Sequence, residues 1–174
     1  MSGINYDLSR IRGMVFDMDG VLSASSVAVR NDGQLTRTIN VKDSYALQLA
    51  AKCGIQIAVI SGGASEGVAI YLARLGIKDI FMNCGNKLTA LQSWLDSRGI
   101  NTDEALYMGD DIPDLRCLRH VALSCCPHDA ASEVVHTCRY ISRFNGGYGC
   151  VRDVIEQILK AQSLWMASDN AFHW

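Results

Sequence analysis

Four times in this chain a short apolar run stops abruptly at acids, hydroxyls or glycines. Gly13-Met14-Val15-Phe16 runs into Asp17-Met18-Asp19-Gly20, and residues 55–60 end at Ser61-Gly62-Gly63. Residues 79–82 lead to Gly85-Asn86-Lys87, and residues 105–108 to Gly109-Asp110-Asp111. Runs this short and this apolar suit strands covered on both faces, the situation of a parallel sheet. Between them lie stretches with a 3.6-residue apolar period: residues 43–53, capped by Asp43-Ser44, residues 67–75, and residues 86–98 with Leu91, Trp94 and Leu95 inward. Gly54, Gly76 and Gly99 stand where such helices stop. Parallel strands need crossovers of this kind, so the pattern predicts an α/β fold: a three-layer, doubly wound (Rossmann-like) parallel sheet. Val121-Ala122-Leu123-Ser124 reads as the last core strand, Tyr140-Ile141 as an edge strand, and residues 151–161 as a closing helix.

One segment breaks the alternation. Residues 27–30 and 34–39 are β-rich and flank Asn31-Asp32-Gly33, which predicts a hairpin inserted after the first strand, a flap spanning about residues 23–41. An isolated ribbon is marginal in water, so it needs a surface to pack on. With 174 residues, 49% of them hydrophobic, the chain suits one domain over residues 1–162, followed by a tail at 163–174 that keeps no period yet holds Trp165, Phe172 and Trp174.

A formal charge of −2 without a basic run gives no footprint for nucleic acid or an anionic membrane, so an anionic ligand has to be held locally. No stretch reaches the roughly 18 consecutive apolar residues of a membrane span, and residues 1–12 lack the pattern of a signal peptide; a cytoplasmic location is expected. The seven cysteines show no C-x-x-C spacing, which reads as reduced, mostly buried thiols.

In a doubly wound sheet ligands bind beyond the carboxyl ends of the strands, and the polar groups there are Asp17, Asp19, Ser61, Lys87, Asp110, Asp111 and Asp114. Several carboxylates at one point repel one another unless a divalent cation neutralises them. An all-oxygen set with no histidine or cysteine points to Mg²⁺. Lys87 opens a helix, the unfavourable end for a cation unless an anion sits there too. Carboxylates, a metal, a lysine and a hydroxyl around one point suit phosphoryl transfer.

In these residues the chain resembles the haloacid dehalogenase-like phosphohydrolases, whose four motifs match Asp17-Met18-Asp19-Gly20-Val21, Ser61-Gly62, Lys87 and Gly109-Asp110-Asp111-x-x-Asp114 in order. The resemblance implies Asp17 as the nucleophile that forms an aspartyl-phosphate and Asp19 as general acid and then base. Ser61, Gly62 and Lys87 would bind the phosphoryl group. Asp17, the Asp19 carbonyl and Asp110 would hold Mg²⁺, with Asp111 and Asp114 behind them or supporting Lys87. Neither place where this superfamily inserts a cap has room for one here, so an open site is expected.

Asn40-Val41-Lys42-Asp43, Gly85-Asn86-Lys87-Leu88 and Gly146-Gly147-Tyr148-Gly149-Cys150-Val151-Arg152-Asp153 further resemble the 3-deoxy-D-manno-octulosonate 8-phosphate phosphatases of that family. That implies a sugar acid phosphate as substrate, serving lipopolysaccharide precursor synthesis, and a homotetramer in which hairpins pack together and each tail reaches a neighbour's site. The phosphates of the nine-carbon acids, 2-keto-3-deoxynononate 9-phosphate and N-acylneuraminate 9-phosphate, are the alternative substrates. Two departures stand out: Ser23-Ala24-Ser25 where many relatives carry Thr-Asp-Gly, and Ser61-Gly62-Gly63 where they carry Thr-Gly-Arg. The second removes a guanidinium able to read a carboxylate or hydroxyl. A phospho-accepting receiver-like signalling domain combines similar residues. In receivers, however, the acidic pair precedes the acceptor aspartate, whereas here Asp17 comes first and Asp110-Asp111 last.

Overall fold

The computed structural model describes residues 3–174. Six strands form one parallel sheet in the order β5-β4-β1-β6-β7-β8, with β1 at Gly13–Phe16, β4 at Gln56–Ile60, β5 at Asp79–Phe81, β6 at Ala105–Met108, β7 at Leu123–Cys126 and β8 at Tyr140–Ile141. Strand side chains alternate between two cores. Met14, Phe16, Ile57, Val59, Leu106 and Met108 face helices α1 (Val41–Lys52), α2 (Glu66–Arg74) and α6 (Cys150–Ala161). Val15, Ala58, Ile60, Ala105 and Tyr107 face α3 (Lys87–Arg98), α4 (Leu115–His120) and α5 (Ser132–Thr137). Burial on both faces is why these strands read as unbroken apolar runs.

From β1 the chain moves outward through β4 to β5, then crosses back and moves the other way through β6, β7 and β8. The order therefore reverses between β1 and β6, the crevice where doubly wound folds bind ligands. Asp17 follows β1 and Asp110 follows β6, both at that point.

The flap is a separate two-stranded ribbon, β2 (Ala28–Val29) against β3 (Leu35–Thr36), antiparallel, with Val29 opposite Leu35. It is shorter than residues 27–30 and 34–39 suggest, because its connection takes a wider loop: Gly33 N donates to Arg30 O and Arg30 N to Gln34 O, with Gly33 at φ +80°.

Several expectations are corrected. Helix α1 starts earlier, capped by Asn40, whose side chain accepts from Lys42 N at 2.9 Å and Asp43 N at 3.4 Å. Asp43 is then free to turn away from its own helix. It accepts from Gly149 N (3.1 Å) and Arg152 N (2.6 Å), capping α6 across the interface instead. Strand β7 begins at Leu123 rather than Val121, since Ala122 N is drawn to Thr102 O and pairing with β6 sets in at Leu106↔Leu123. The six-residue α5 carries too short a period to be read from sequence.

Part of the tail finds cover on its own chain. Tyr45 of α1 meets Trp165 edge-on at 6.2 Å and Trp174 at 6.1 Å, and its hydroxyl donates to Ala171 O. Ala171 is buried, while Phe172 and Trp174 stay 65% and 66% exposed. No helix among the described residues is long and apolar enough to cross a membrane.

Candidate active site

The first loop is built by backbone bonds that leave little freedom. Asp17 N donates to Met108 O at 3.0 Å, extending the β1–β6 ladder by one residue. Met18 O accepts from Val21 N and Ser23 N, and Gly20 N donates to Ser23 O. Gly20 sits at φ +85°, and a Cβ there would lie 1.9 Å from Asp110 Oδ2, so glycine is required both for conformation and for the approach of Asp110. Behind this loop, Gly147 N donates to Val21 O, and a Cβ at Gly146 would lie 1.9 Å from Gly20 O. The glycine-rich turn before α6 thus packs backbone to backbone on the first loop.

Lys87 is the first residue of α3, whose cap Asn86 accepts from Thr89 N. Its side chain is buried, and Nζ lies 2.9 Å from Asp17 Oδ1 and 2.8 Å from Asp114 Oδ1. Burial opposes its charge, but the two carboxylates outweigh that and hold its pKa above the usual lysine range. The anion that a cation at this helix end demands is therefore supplied from within the chain.

Asp114 is a fully buried hub. Oδ1 accepts from Lys87 Nζ and from the Tyr107 hydroxyl at 2.7 Å, and Oδ2 accepts from Asp110 N at 3.2 Å. Gly109 leaves the space for it, since a Cβ there would fall 2.4 Å from Asp114 Cβ. One carboxylate oxygen each of Asp17, Asp110 and Asp114 lie within 4.8 Å of one another. Burial first, then the charge of Asp114, pushes Asp17 up to about 7 against the pull of Lys87. Burial, then the charges of Asp17, Asp114 and Asp111, pushes Asp110 up to about 7. One lysine does not neutralise three carboxylates, so this all-oxygen set fits a hard dication. Asp114 already has both oxygens bonded, which leaves Asp17 and Asp110 to face the ion.

The other expected residues divide. Ser61, buried at the end of β4, is fixed by Ser61 N to Phe81 O (2.8 Å), and its Oγ accepts from Gly63 N (3.1 Å). Gly62 is exposed in the same loop. Asp19 lies beside the cluster and is gripped by Arg37, with Nε 2.6 Å from Oδ1 and Nη2 2.9 Å from Oδ2. Asp111 is exposed and stands behind the cluster: its carbonyl accepts from Asp114 N, and its charge acts on Asp110. Asp114, not Asp111, supports Lys87. Sequence reading missed Arg37 and Tyr107. Tyr107 was hidden as one more apolar strand residue, and the signal for Arg37 was a lone cation at the foot of the flap.

The haloacid dehalogenase-like hydrolase profile matches residues 69–155. The chain is 34% identical over 152 residues to the 3-deoxy-D-manno-octulosonate 8-phosphate phosphatase of Escherichia coli (strain K12), covering 87% of this chain and 81% of that one. Among solved structures, the same phosphatase from Moraxella catarrhalis, in complex with a magnesium ion, a phosphate ion and a KDO molecule, superposes with a TM-score of 0.89 at 32% identity over 96% of each chain. The cobalt-bound form of the Haemophilus influenzae phosphatase gives a TM-score of 0.87 at 27% identity, covering 95% of this chain and 98% of that one. The buried Asp17–Lys87–Asp114 cluster at the switch point and these likenesses lead to one conclusion: this chain belongs to the haloacid dehalogenase-like hydrolases and is a phosphatase.

Proposed function

We propose that the chain hydrolyses the terminal phosphate of a 2-keto-3-deoxy sugar acid, foremost 3-deoxy-D-manno-octulosonate 8-phosphate, with Mg²⁺ as cofactor and through a phosphorylated Asp17. The observation that carries the reading is Lys87 Nζ held between Asp17 (2.9 Å) and Asp114 (2.8 Å). That bond fixes Asp17 Oδ1 and leaves the other oxygen to attack phosphorus in line. Lys87 then faces the spread charge of the transferring group beside Ser61 and Gly62. Asp17, Asp110 and the Asp19 carbonyl would hold Mg²⁺, which would neutralise the carboxylates and the phosphoryl oxygens. Asp19 gives a proton to the ester oxygen as the P–O bond breaks and the alcohol leaves. It next takes a proton from water, whose oxygen attacks the phosphorus and releases inorganic phosphate and free Asp17.

The substrate follows from the similarity to the octulosonate phosphatases, and the nine-carbon acid phosphates are the second choice. We read residues 1–162 as one uncapped domain working in the cytoplasm, and the active form as a homotetramer. Val29 and Leu35, directly opposed on the ribbon and 72% and 43% exposed, support ribbon-to-ribbon association. A phosphate-release screen over sugar acid phosphates and simple sugar phosphates, with Mg²⁺ and after exhaustive chelation, tests the reading. Full turnover without metal, or equal turnover of glucose 6-phosphate, overturns it.

A further inference from the structure

Arg37 brings a guanidinium from the flap to the edge of the site. It stands one residue beyond β3, its side chain 1% exposed, and it grips both oxygens of Asp19. Its remaining arm, Nη1, donates to Ala64 O at 3.3 Å. Gly63 makes the room: a Cβ there would lie 3.1 Å from Arg37 Nη2 and 3.2 Å from Asp19 Oδ2. The flap, the first loop and the loop after β4 therefore close on one planar donor fork.

That grip cannot persist through the reaction proposed above. Asp19 Oδ1 accepts from Arg37 Nε and from Ser23 Oγ (3.1 Å), which fills both of its acceptor sites, and Oδ2 accepts from Nη2. An Asp19 that exchanges a proton with the ester oxygen needs an oxygen turned toward it, and the fork holds both. The donors of Arg37 reach neither Asp17, Asp110 nor Asp114; its recorded partners are Asp19 and Ala64 O. Lys87 serves the phosphoryl pole, so Arg37 stands on the side where the organic part of the ester lies.

We propose that Arg37 reads the leaving group. In the free enzyme it parks on Asp19; when substrate binds, one arm of the fork passes to an oxygen of the organic moiety, a hydroxyl or carboxylate, and an Asp19 oxygen is released to meet the ester oxygen. A guanidinium suits this exchange because it can keep one bond while transferring the other, which an ammonium cannot do in a fixed plane. Specificity then enters through the flap, with Gly63 as the complementary vacancy.

The inference rests on the phosphatase reading, and p-nitrophenyl phosphate separates the two. It carries a good leaving group and no hydroxyl or carboxylate for Arg37 to hold. With the Mg²⁺-loaded full chain, Arg37→Ala should raise KM for 3-deoxy-D-manno-octulosonate 8-phosphate by roughly 10- to 100-fold, the loss of a charged hydrogen-bond pair. For p-nitrophenyl phosphate the variant loses only what Arg37 contributes through Asp19, so the ratio of kcat/KM for the sugar acid phosphate to that for p-nitrophenyl phosphate should fall by roughly 10-fold or more. Arg37→Lys should restore part of the KM but not all of it. Gly63→Val, which crowds the guanidinium from the other side, should reproduce the Arg37→Ala pattern, and unchanged thermal unfolding confirms that both variants fold. An equal fall in kcat for both substrates with KM unchanged would overturn the inference, leaving Arg37 as a support of Asp19 alone, as would no effect on either substrate. A wild-type chain that releases phosphate from neither substrate would instead refute the proposed reaction itself.

Discussion

Gly20→Ala should damage turnover far more than stability, because the methyl group lands on a carboxylate and not on the core. The backbone at Gly20 has φ +85°, which costs a residue with a Cβ roughly 1–2 kcal/mol. For a chain of this size that lowers Tm by roughly 2–8 °C. The new Cβ would lie 1.9 Å from Asp110 Oδ2 and 2.2 Å from its Cγ. Ordinary carbon–oxygen contact needs more than 3 Å, so the carboxylate withdraws by about 1 Å or more, which it can do by rotating. A displacement of that size costs on the order of 100-fold in rate when it moves a positioned group. The half-saturating Mg²⁺ concentration should rise by a similar factor. Gly54→Ala is the control: Gly54 has φ +86° and nothing within 4 Å of its missing Cβ, so it incurs the same conformational cost in open space. It should lose the same few degrees and keep turnover within about twofold. Steady-state kinetics across a Mg²⁺ titration, paired with calorimetry, read both effects. A Gly20→Ala enzyme with kcat/KM within about fivefold of wild type and unchanged Mg²⁺ dependence would refute the placement of Asp110 at the metal.

Three further outcomes are expected. Asp17→Asn should abolish turnover and all phosphoenzyme, Asp19→Asn should accumulate phosphoenzyme and stall its release, and beryllium trifluoride should modify Asp17; an adduct on Asp110 would reverse the roles. Asp17 and Asp110 have folded pKa values raised to about 7, so without metal they favour the fold while protonated and lose that contribution as pH rises toward 7. Mg²⁺ needs both ionised, so the Tm gain from excess MgCl₂ should be larger at about pH 8 than at about pH 6, and the opposite order would contradict the cluster. Tyr107→Phe removes one of two donors to buried Asp114 Oδ1 and should cost about 1–3 kcal/mol, read by denaturant unfolding, with a modest fall in kcat; no loss of stability would mean that the hydroxyl is not needed there.

The sheet and its site were legible because β1, β4 and β6 are buried almost throughout and stop beside the residues that enter the crevice. Asp17, Ser61, Lys87 and Asp110 stand at strand ends or the first turn of a helix, where local pattern and position in the fold coincide. What stayed hidden was carried by contacts distant in sequence. Asp43 looks like the cap of its own helix, yet its carboxylate spans 106 and 109 residues to reach Gly149 N and Arg152 N, because Asn40 already fills the local role. The tail looked homeless because its aromatics keep no period. Their partner Tyr45 lies on α1, about 120 residues earlier in the chain, and neither pattern encodes the meeting.

Arg37 and Gly63 show the same limit at the site itself. Taken alone, Gly63 is a missing arginine and Arg37 a charge on an exposed ribbon, and neither points to recognition. In three dimensions the loss and the gain occupy one space, since a side chain at 63 would crowd the guanidinium at 3.1 Å. A cation delivered by the loop after β4 would be fixed to the sheet, whereas one delivered by the ribbon moves with it. The ribbon pairs with no strand of the main sheet, and its apolar pair Val29 and Leu35 is turned to solvent. Under the proposed ribbon-to-ribbon association, the ribbon that packs on this pair would also bear on Arg37 and, through it, on Asp19. Replacing Val29 and Leu35 with serine should therefore change KM for the sugar acid phosphate before it changes metal dependence or the stability of the sheet. Kinetics and sedimentation run on the same sample check this, and a loss of association with KM untouched would uncouple the ribbon from the site.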